Sequence, residues 1–133
     1  MTGSKAVFDT WAWWEVLRGS PMGLRLKSRY LDSDGVRVFT STISLGEVAA
    51  KLASEGRLED VPVVISSLRG ASEFVEVTGE LAVAGGRLRA RLRERQASAS
   101  LADGIVLETA RSLRATLVSQ DRAFRGVADV IDH

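Results

Sequence analysis

The sequence predicts an α/β fold of three layers, α/β/α, in which helices cover both faces of a central parallel sheet of about five strands. Two observations support this prediction. Short apolar runs alternate along the chain with longer segments of helical period. The 133 residues suit one domain with its own core, and they contain no internal repeat, low-complexity tract or linker. We therefore predict a single domain over residues 1–133.

The first elements are a strand and a broken helix. Lys5–Asp9 is a short apolar run that ends in an acid, which indicates a strand. Thr10 is a suitable N-cap for a helix over Trp11–Arg18. Gly19 then ends this helix, and Pro21 favours a second start.

A turn, a strand and a long helix follow. Asp32–Gly35 has turn composition, and the next six residues, VRVFTS, indicate a buried strand. Ser44 is the predicted N-cap of the next helix, because Glu47 follows it at the spacing of a capping box. Gly56 is expected to end that helix.

The second half of the chain repeats the alternation of helix and strand. A helix is predicted over Asp60–Arg69, a strand over Glu73–Val77 and a long helix over Glu80–Gln96. Gly85 and Gly86 interrupt this long helix, so we expect a kink or a close helix contact there. The remaining elements are a helix from Ser98 or Ser100 to Leu113, a strand over Ala115–Ser119, a helical turn from Arg122 and an apolar run over Val127–Ile131.

Four acidic residues stand where a predicted strand ends or within helices that follow: Asp9, Glu47, Asp103 and Asp121. Such junctions collect at one rim of an α/β sheet, so carboxylates that are far apart in sequence can converge there. Convergent carboxylates bind hard divalent cations. Glu47 and Asp103 are the anomalies among the four. Glu47 stands in the apolar segment ISLGEVAAKL, where an acid is costly unless it is paired or metal-bound, and Asp103 stands in SLADGIVLETA.

Each of these acids also has a purely structural explanation. Asp103 suits the first turn of a helix, where the helix dipole favours a negative charge. Glu47 suits the role of capping-box partner, and Asp9 that of an acid preceding a helix. Asp121 suits a turn. The combined placement of all four favours a site.

Composition excludes several classes of function. The net charge is +1, from 18 basic and 17 acidic residues, so any nucleic-acid site must be a local patch. The absence of cysteine excludes disulfides, thiolate zinc sites and thiol nucleophiles. His133 is a lone, terminal histidine and offers no competing ligand set. No apolar leader or membrane span is evident, so we predict a cytoplasmic protein without membrane contact.

Four motifs occur in order along the chain: VFDT at residues 7–10, SLGEVAAKL at 44–52, SLADGIVLETA at 100–110 and TLVSQDRAF at 116–124. With these motifs the chain resembles the PIN-domain ribonucleases, especially the small VapC-type toxins of prokaryotic toxin–antitoxin pairs. Each motif alone is weak. Together they extend over nearly the whole chain in the expected order.

The resemblance implies a function and a set of site residues. Asp9, Glu47, Asp103 and Asp121 become the catalytic, metal-binding acids, with Thr10 and Ser119 as supporting hydroxyls. Mg²⁺ or Mn²⁺ would activate a water molecule against an RNA phosphodiester, leaving a 5′-phosphate and a 3′-hydroxyl. The implied function is that of a metal-dependent endoribonuclease toxin with a cognate antitoxin, commonly as a homodimer.

Two surface features have open alternatives. Arg87, Arg91 and Arg95 follow one another at helical spacing and either hold RNA phosphates or form a solvated face. Trp11, Trp13 and Trp14 cannot all face one core, since neighbours on a helix diverge by about 100°. At least one is therefore expected to be exposed or at an interface, where it would contact a partner protein or stack on a base.

Two other functions remain in competition. One is a PIN nuclease that matures RNA, which the sequence does not separate from a toxin. The other is a non-catalytic α/β binding module such as a phosphoacceptor receiver. A receiver needs an aspartate at the end of the third strand and a late lysine, but the chain has Val77, Thr78 and Gly79 there and no lysine after Lys51.

Overall fold

The structure is a computed structural model that describes residues 3–120 and, as backbone only, residues 130–132. Its sheet has five parallel strands in the order β3-β2-β1-β4-β5, which confirms the predicted α/β fold and its strand number. The strands are β1 Ser4–Phe8, β2 Val36–Ser41, β3 Glu73–Val75, β4 Thr116–Ser119 and β5 Val130–Asp132.

Helices cover both faces of this sheet. The described helices are α1 Thr10–Leu17, α2 Pro21–Leu26, α3 Thr42–Ser54, α4 Val61–Ala71, α5 Gly79–Arg93 and α6 Leu101–Leu113, with a π-helical turn at Lys27–Leu31 and a 3₁₀ turn at Leu58–Asp60. None of them is both long and apolar enough to cross a membrane.

The central strand β1 divides the interior into two cores. Val7 packs into one cluster with residues of α5 and α6, such as Leu88 and Val106. Phe8, the next residue, packs into the opposite cluster with α1 and α3, because successive side chains of a strand point to opposite faces. This division confirms the three-layer α/β/α arrangement.

Two helices begin earlier than predicted. Asp9, and not Thr10, caps α1, since its carboxylate accepts a hydrogen bond from the backbone N–H of Ala12 at 2.9 Å. Ser41, and not Ser44, caps α3 through the N–H of Ile43. In both cases the helix follows the strand without a loop. The last residue before the helix whose side chain can accept a hydrogen bond therefore acts as its N-cap.

The glycines of α5 mark a close contact between helices. The helix is continuous from Gly79 to Arg93, so the kink is not found, whereas the predicted close contact is. A Cβ on Gly85 would lie 2.6 Å from Cγ1 of Ile105, and one on Gly104 would clash with the carbonyl oxygen of Gly85. Small residues on both helices thus set the spacing between α5 and α6.

The remaining boundaries differ by a few residues. The third strand ends at Val75 and not at Val77. Ser100 is confirmed as the cap of α6, and α4 begins at Val61. The predicted helical turn from Arg122 lies outside the described residues, and the last apolar run contributes β5.

Candidate active site

Asp9 lies at the rim formed by the carboxyl ends of the strands. It directly follows β1, the middle strand of the sheet, and it is only 7% exposed. Its carboxylate accepts the hydrogen bond from Ala12 that caps α1, so it sits at the positive end of that helix. Local folding therefore fixes a carboxylate in a buried position at the rim.

Thr10 joins this position to α3. Its hydroxyl donates a hydrogen bond to Oε1 of Glu47 at 2.6 Å, from the start of α1 to the second turn of α3. The structure thus links Glu47 to Thr10, the residue that follows Asp9. The hydroxyl that the sequence predicts to support the site has a defined partner.

Glu47 is not placed as the sequence predicts. Its side chain is exposed, because the buried stripe of α3 consists of Ser44, Val48 and Leu52. It is not a capping-box partner either, since the cap is Ser41. The prediction that Glu47 lies in an apolar environment is therefore wrong, and so is its structural explanation as a capping-box partner.

Asp103 forms the capping box of α6. Its carboxylate accepts a hydrogen bond from the backbone N–H of Ser100 at 2.8 Å, while the Ser100 hydroxyl accepts one from the N–H of Asp103 at 3.0 Å. The structural explanation of Asp103 is therefore correct. A carboxylate has two oxygens with several lone pairs, so this bond is compatible with metal binding.

Ser119 is the last residue of β4 and is 1% exposed. Phe8 pairs with Val118 across the sheet, and the N–H of Asp9 donates to the carbonyl of Val118 at 3.4 Å, so Ser119 stands level with Asp9 at the rim. Asp121, the fourth predicted acid, lies outside the described residues.

The predicted site residues offer oxygen ligands, mainly carboxylates, and oxygen ligands are the kind that hard divalent cations such as Mg²⁺ prefer. Within residues 3–120, however, no group of three acidic, histidine or cysteine residues is placed to hold a metal. The convergence of all four acids therefore remains a prediction.

Ser44 is a buried residue near the rim whose environment the sequence does not predict. The sequence predicts it as a cap, yet it is fully buried in the first turn of the rim helix α3, three residues before Glu47. Its hydroxyl has no hydrogen-bond partner among the residues that the structure describes. A buried hydroxyl normally has a partner. An orphan so close to the rim fits a site that holds water or an ion.

Ser44→Ala should raise the free energy of unfolding by about 1 kcal/mol in EDTA, because it removes the desolvation cost of an unpaired hydroxyl. Urea denaturation measures this change. Ser54→Ala is the matched control on the same helix, since the Ser54 hydroxyl is exposed and bonded to the Lys51 carbonyl. A loss of stability in Ser44→Ala would show that the hydroxyl has a partner in the folded protein.

The predicted arginine stripe is only partly formed. Arg87 and Arg91 are exposed on α5, but the helix ends at Arg93, so Arg95 lies beyond it and not on the same stripe. Arg89 and Arg93 have a structural role, because both donate to the carbonyl of Ala99 and hold the loop before α6.

All three tryptophans pack in or against one core, contrary to the prediction, and none of them is fully exposed. Trp13 is in the core, and its indole N–H donates to the hydroxyl of Thr40 at 3.0 Å. Trp11 and Trp14 are half-buried at the edge of the same core. The ammonium group of Lys51 lies 4.8 Å from the centre of the Trp14 ring.

A buried acid, Glu15, fixes the connection between α1 and α2. Its carboxylate binds Arg18 at 2.7 Å and accepts a hydrogen bond from Ser20 at 2.9 Å. The hydrogen bond from Arg18 lowers the pKa of the Glu15 carboxyl, against the opposing effect of burial. The burial of Glu15 is not evident from the sequence, because it depends on how α2 crosses α1 at Gly23, where a Cβ would clash with the Glu15 carbonyl.

Glu15→Gln should lower the free energy of unfolding by about 1 kcal/mol at pH 7, because it removes a charge-assisted hydrogen bond. A lowered pKa stabilises the fold fully above the unfolded value of about 4.3, and this stabilisation is lost as the pH falls through the lower folded pKa. Urea denaturation from pH 7 to pH 3 should therefore show wild type and variant converging at the acid end. A difference that does not change with pH would mean that only packing has been altered.

The sequence of this parallel α/β/α domain matches a known family of proteins. A family model of the PIN domain matches residues 6–130, so the chain belongs to the PIN-domain family. PIN domains are nucleases and generally use divalent metal ions. No curated protein sequence matches the chain.

Solved structures of similar fold come from several bacteria. VapC20 of Mycobacterium tuberculosis, described as a toxin that cleaves the sarcin–ricin loop, has a TM-score of 0.74 at 20% identity, over 94% of this chain and 96% of that one. VapBC2 of Rickettsia felis, bound to a DNA fragment from its promoter, has a TM-score of 0.73 at 15% identity, over 97% of both chains. A DNA-bound VapBC of Salmonella typhimurium has a TM-score of 0.73 at 17% identity, over 97% and 98%.

Proposed function

We propose that the protein is a metal-dependent endoribonuclease and the toxin of a toxin–antitoxin pair, with residues 1–133 forming one nuclease domain. The observation that carries this proposal is the buried Asp9 carboxylate at the end of the middle strand, next to the bond between Thr10 and Glu47. Membership of a nuclease family supports hydrolysis of nucleic acid. The proposal of RNA as the substrate rests on the motif resemblance and on the description of VapC20 as a toxin that cleaves the sarcin–ricin loop.

The residues proposed to hold the metal are Asp9, Glu47, Asp103 and Asp121, with Mg²⁺ or Mn²⁺ as the ion. When bound, such an ion lowers the pKa of a water ligand and neutralises charge on a phosphodiester. The chain itself positions the acids. The hydrogen bond from the Ala12 N–H orients the Asp9 carboxylate, and the Thr10 hydroxyl holds Glu47 near the rim.

Burial gives Asp9 a further property. A carboxylate that is largely removed from water cannot be screened by solvent, so it attracts a cation more strongly than an exposed one would. Glu47 is exposed to solvent and is held by Thr10 through one of its two oxygens, whereas Asp9 is buried. Arg87 and Arg91, exposed on α5, are proposed to hold RNA phosphates, and Arg95 remains a candidate beyond the helix end.

The toxin role, in preference to RNA maturation, is supported by the toxin–antitoxin complexes among the structures of similar fold. We infer a cognate antitoxin on the same grounds. We further propose a homodimer, which the family resemblance implies, and a cytoplasmic location. The gene beside this one provides a direct check, since a small reading frame encoding an antitoxin is expected there.

The test is cleavage of several RNAs by the purified protein in Mg²⁺, Mn²⁺ or EDTA. We expect endonucleolytic fragments in Mg²⁺ or Mn²⁺ and none in EDTA. The fragments should accept a 5′ label only after phosphatase treatment, because the products carry a 5′-phosphate. Cleavage that persists in EDTA and leaves 5′-hydroxyl ends would indicate a contaminating nuclease that uses the 2′-hydroxyl, and absence of cleavage on every RNA would contradict the proposal.

A further inference from the structure

A cleft of about 470 Å³ opens between α1 and α3, a size typical of small-molecule sites, which occupy roughly 300–1,000 Å³. It is lined by Thr10, Trp11, Trp14, Glu15, Arg18 and Lys51. Thr10 is also the residue that donates to Glu47, so the cleft borders the candidate active site directly. A polymer that is cut at that site must pass close to this cleft.

The cleft has one uncompensated positive charge. Glu15 and Arg18 neutralise each other through their ion pair at 2.7 Å. Lys51 is exposed and forms no salt bridge with any residue in the described part of the chain. It stands one helical turn beyond Glu47 on α3, so its ammonium group is available to an anion that approaches the acids.

The cleft also presents two aromatic rings. Trp11 and Trp14 lie three residues apart on α1 and hence share a face. Both are half-buried and packed against the core that contains Phe8, which holds them in place. The Lys51 ammonium lies 4.8 Å from the centre of the Trp14 ring, so the cation and this ring are adjacent within the cleft. Fixed aromatic rings beside a cation are the features by which proteins bind single-stranded nucleic acid.

We propose that this cleft binds one nucleotide of single-stranded RNA next to the scissile phosphate, with Lys51 on its phosphate and Trp11 and Trp14 against its base. The inference rests on the proposed nuclease function. RNA is favoured over a partner protein because the cleft is continuous with the residue pair Thr10 and Glu47, where the phosphodiester must lie.

The first experiment measures the affinity of a labelled hexauridylate in Ca²⁺, with the RNA checked for integrity on a gel. Lys51→Ala should weaken binding about five- to tenfold and reduce the salt slope by roughly 0.7, one counterion's worth for a single strand. Lys51→Arg should keep most of the affinity. Lys27→Ala is the matched control, because Lys27 pairs with Asp32 on the π-helical turn and does not line the cleft.

The second experiment tests the base contact without altering the core. Hexauridylate should quench the tryptophan fluorescence of the wild type, and an abasic oligomer of the same length should bind more weakly and quench less. Trp11→Phe should reduce the quenching while leaving the melting temperature close to that of the wild type.

Two results would overturn the proposal while leaving the nuclease intact. One is a Lys51→Ala protein that cleaves RNA and binds it with wild-type affinity and salt slope. The other is equal quenching by the abasic oligomer. If Lys51→Ala retains RNA affinity but loses its complex with the protein encoded by the neighbouring gene, the cleft belongs to the partner. If the wild type neither binds nor cleaves RNA, both proposals fall.

Discussion

Asp9→Asn should abolish metal-dependent RNA cleavage and leave the fold intact. Loss of even an outer partner of a metal ligand costs about 10–100-fold in metal affinity or activity, so loss of a ligand should cost at least that much. The fold should survive because asparagine caps a helix about as well as aspartate. Mn²⁺ should raise the melting temperature of the wild type, since it binds only the folded state, and should not raise that of Asp9→Asn.

Asp9→Ala separates the two roles of this residue. It removes the cap on α1 as well as the charge, so it should lose activity and also about 1 kcal/mol of stability. Cleavage and urea denaturation of both variants complete the comparison. A purified Asp9→Asn protein that still cleaves RNA in Mg²⁺ would exclude Asp9 as an essential ligand.

Gly85→Ala should lower the free energy of unfolding by about 2–3 kcal/mol, because it overpacks the contact between α5 and α6. The new Cβ would lie 2.6 Å from Cγ1 of Ile105 and 2.8 Å from its Cα. The Cα is backbone, so no rotamer change relieves this contact and the two helices must separate. Thermal or urea denaturation measures the effect.

Gly86→Ala is the matched control one residue further along the helix. A Cβ there would meet only Cδ1 of Leu101, at 3.9 Å, which is an ordinary contact. Alanine is favoured over glycine inside a helix by up to about 1 kcal/mol, so this variant should be as stable as the wild type or more stable. Equal losses in both variants would mean that α5 and α6 do not approach as closely as described.

The strands could be predicted from the sequence because parallel strands are buried on both faces. VRVFTS and TLVS stand out as apolar runs, and the sheet follows from their alternation with helices. The helix starts could not be placed as well. Thr10, Ser41 and Ser44 are all good caps by residue type, and only the length of the preceding strand decides between them.

The candidate site was predicted in part. The position of Asp9 was predicted correctly, because an acid directly follows the first apolar strand. The environment of Glu47 was not, because its apolar neighbours in sequence lie on a different side of α3. The orphan Ser44 and the buried Glu15 depend on contacts between elements, which no local pattern records. Asp121 stays a prediction.

The order of the strands has a consequence for synthesis of the protein. β1 is the first strand to leave the ribosome, yet it lies in the middle of the sheet, between β2 and β4. Its pairing with β4 joins Ala6 to Thr116, so this pairing must wait until residue 116 has been made. Until then the rim around Asp9 has no Ser119 beside it. A nascent chain that does not yet include β4 therefore cannot assemble this site, and it should not cleave RNA.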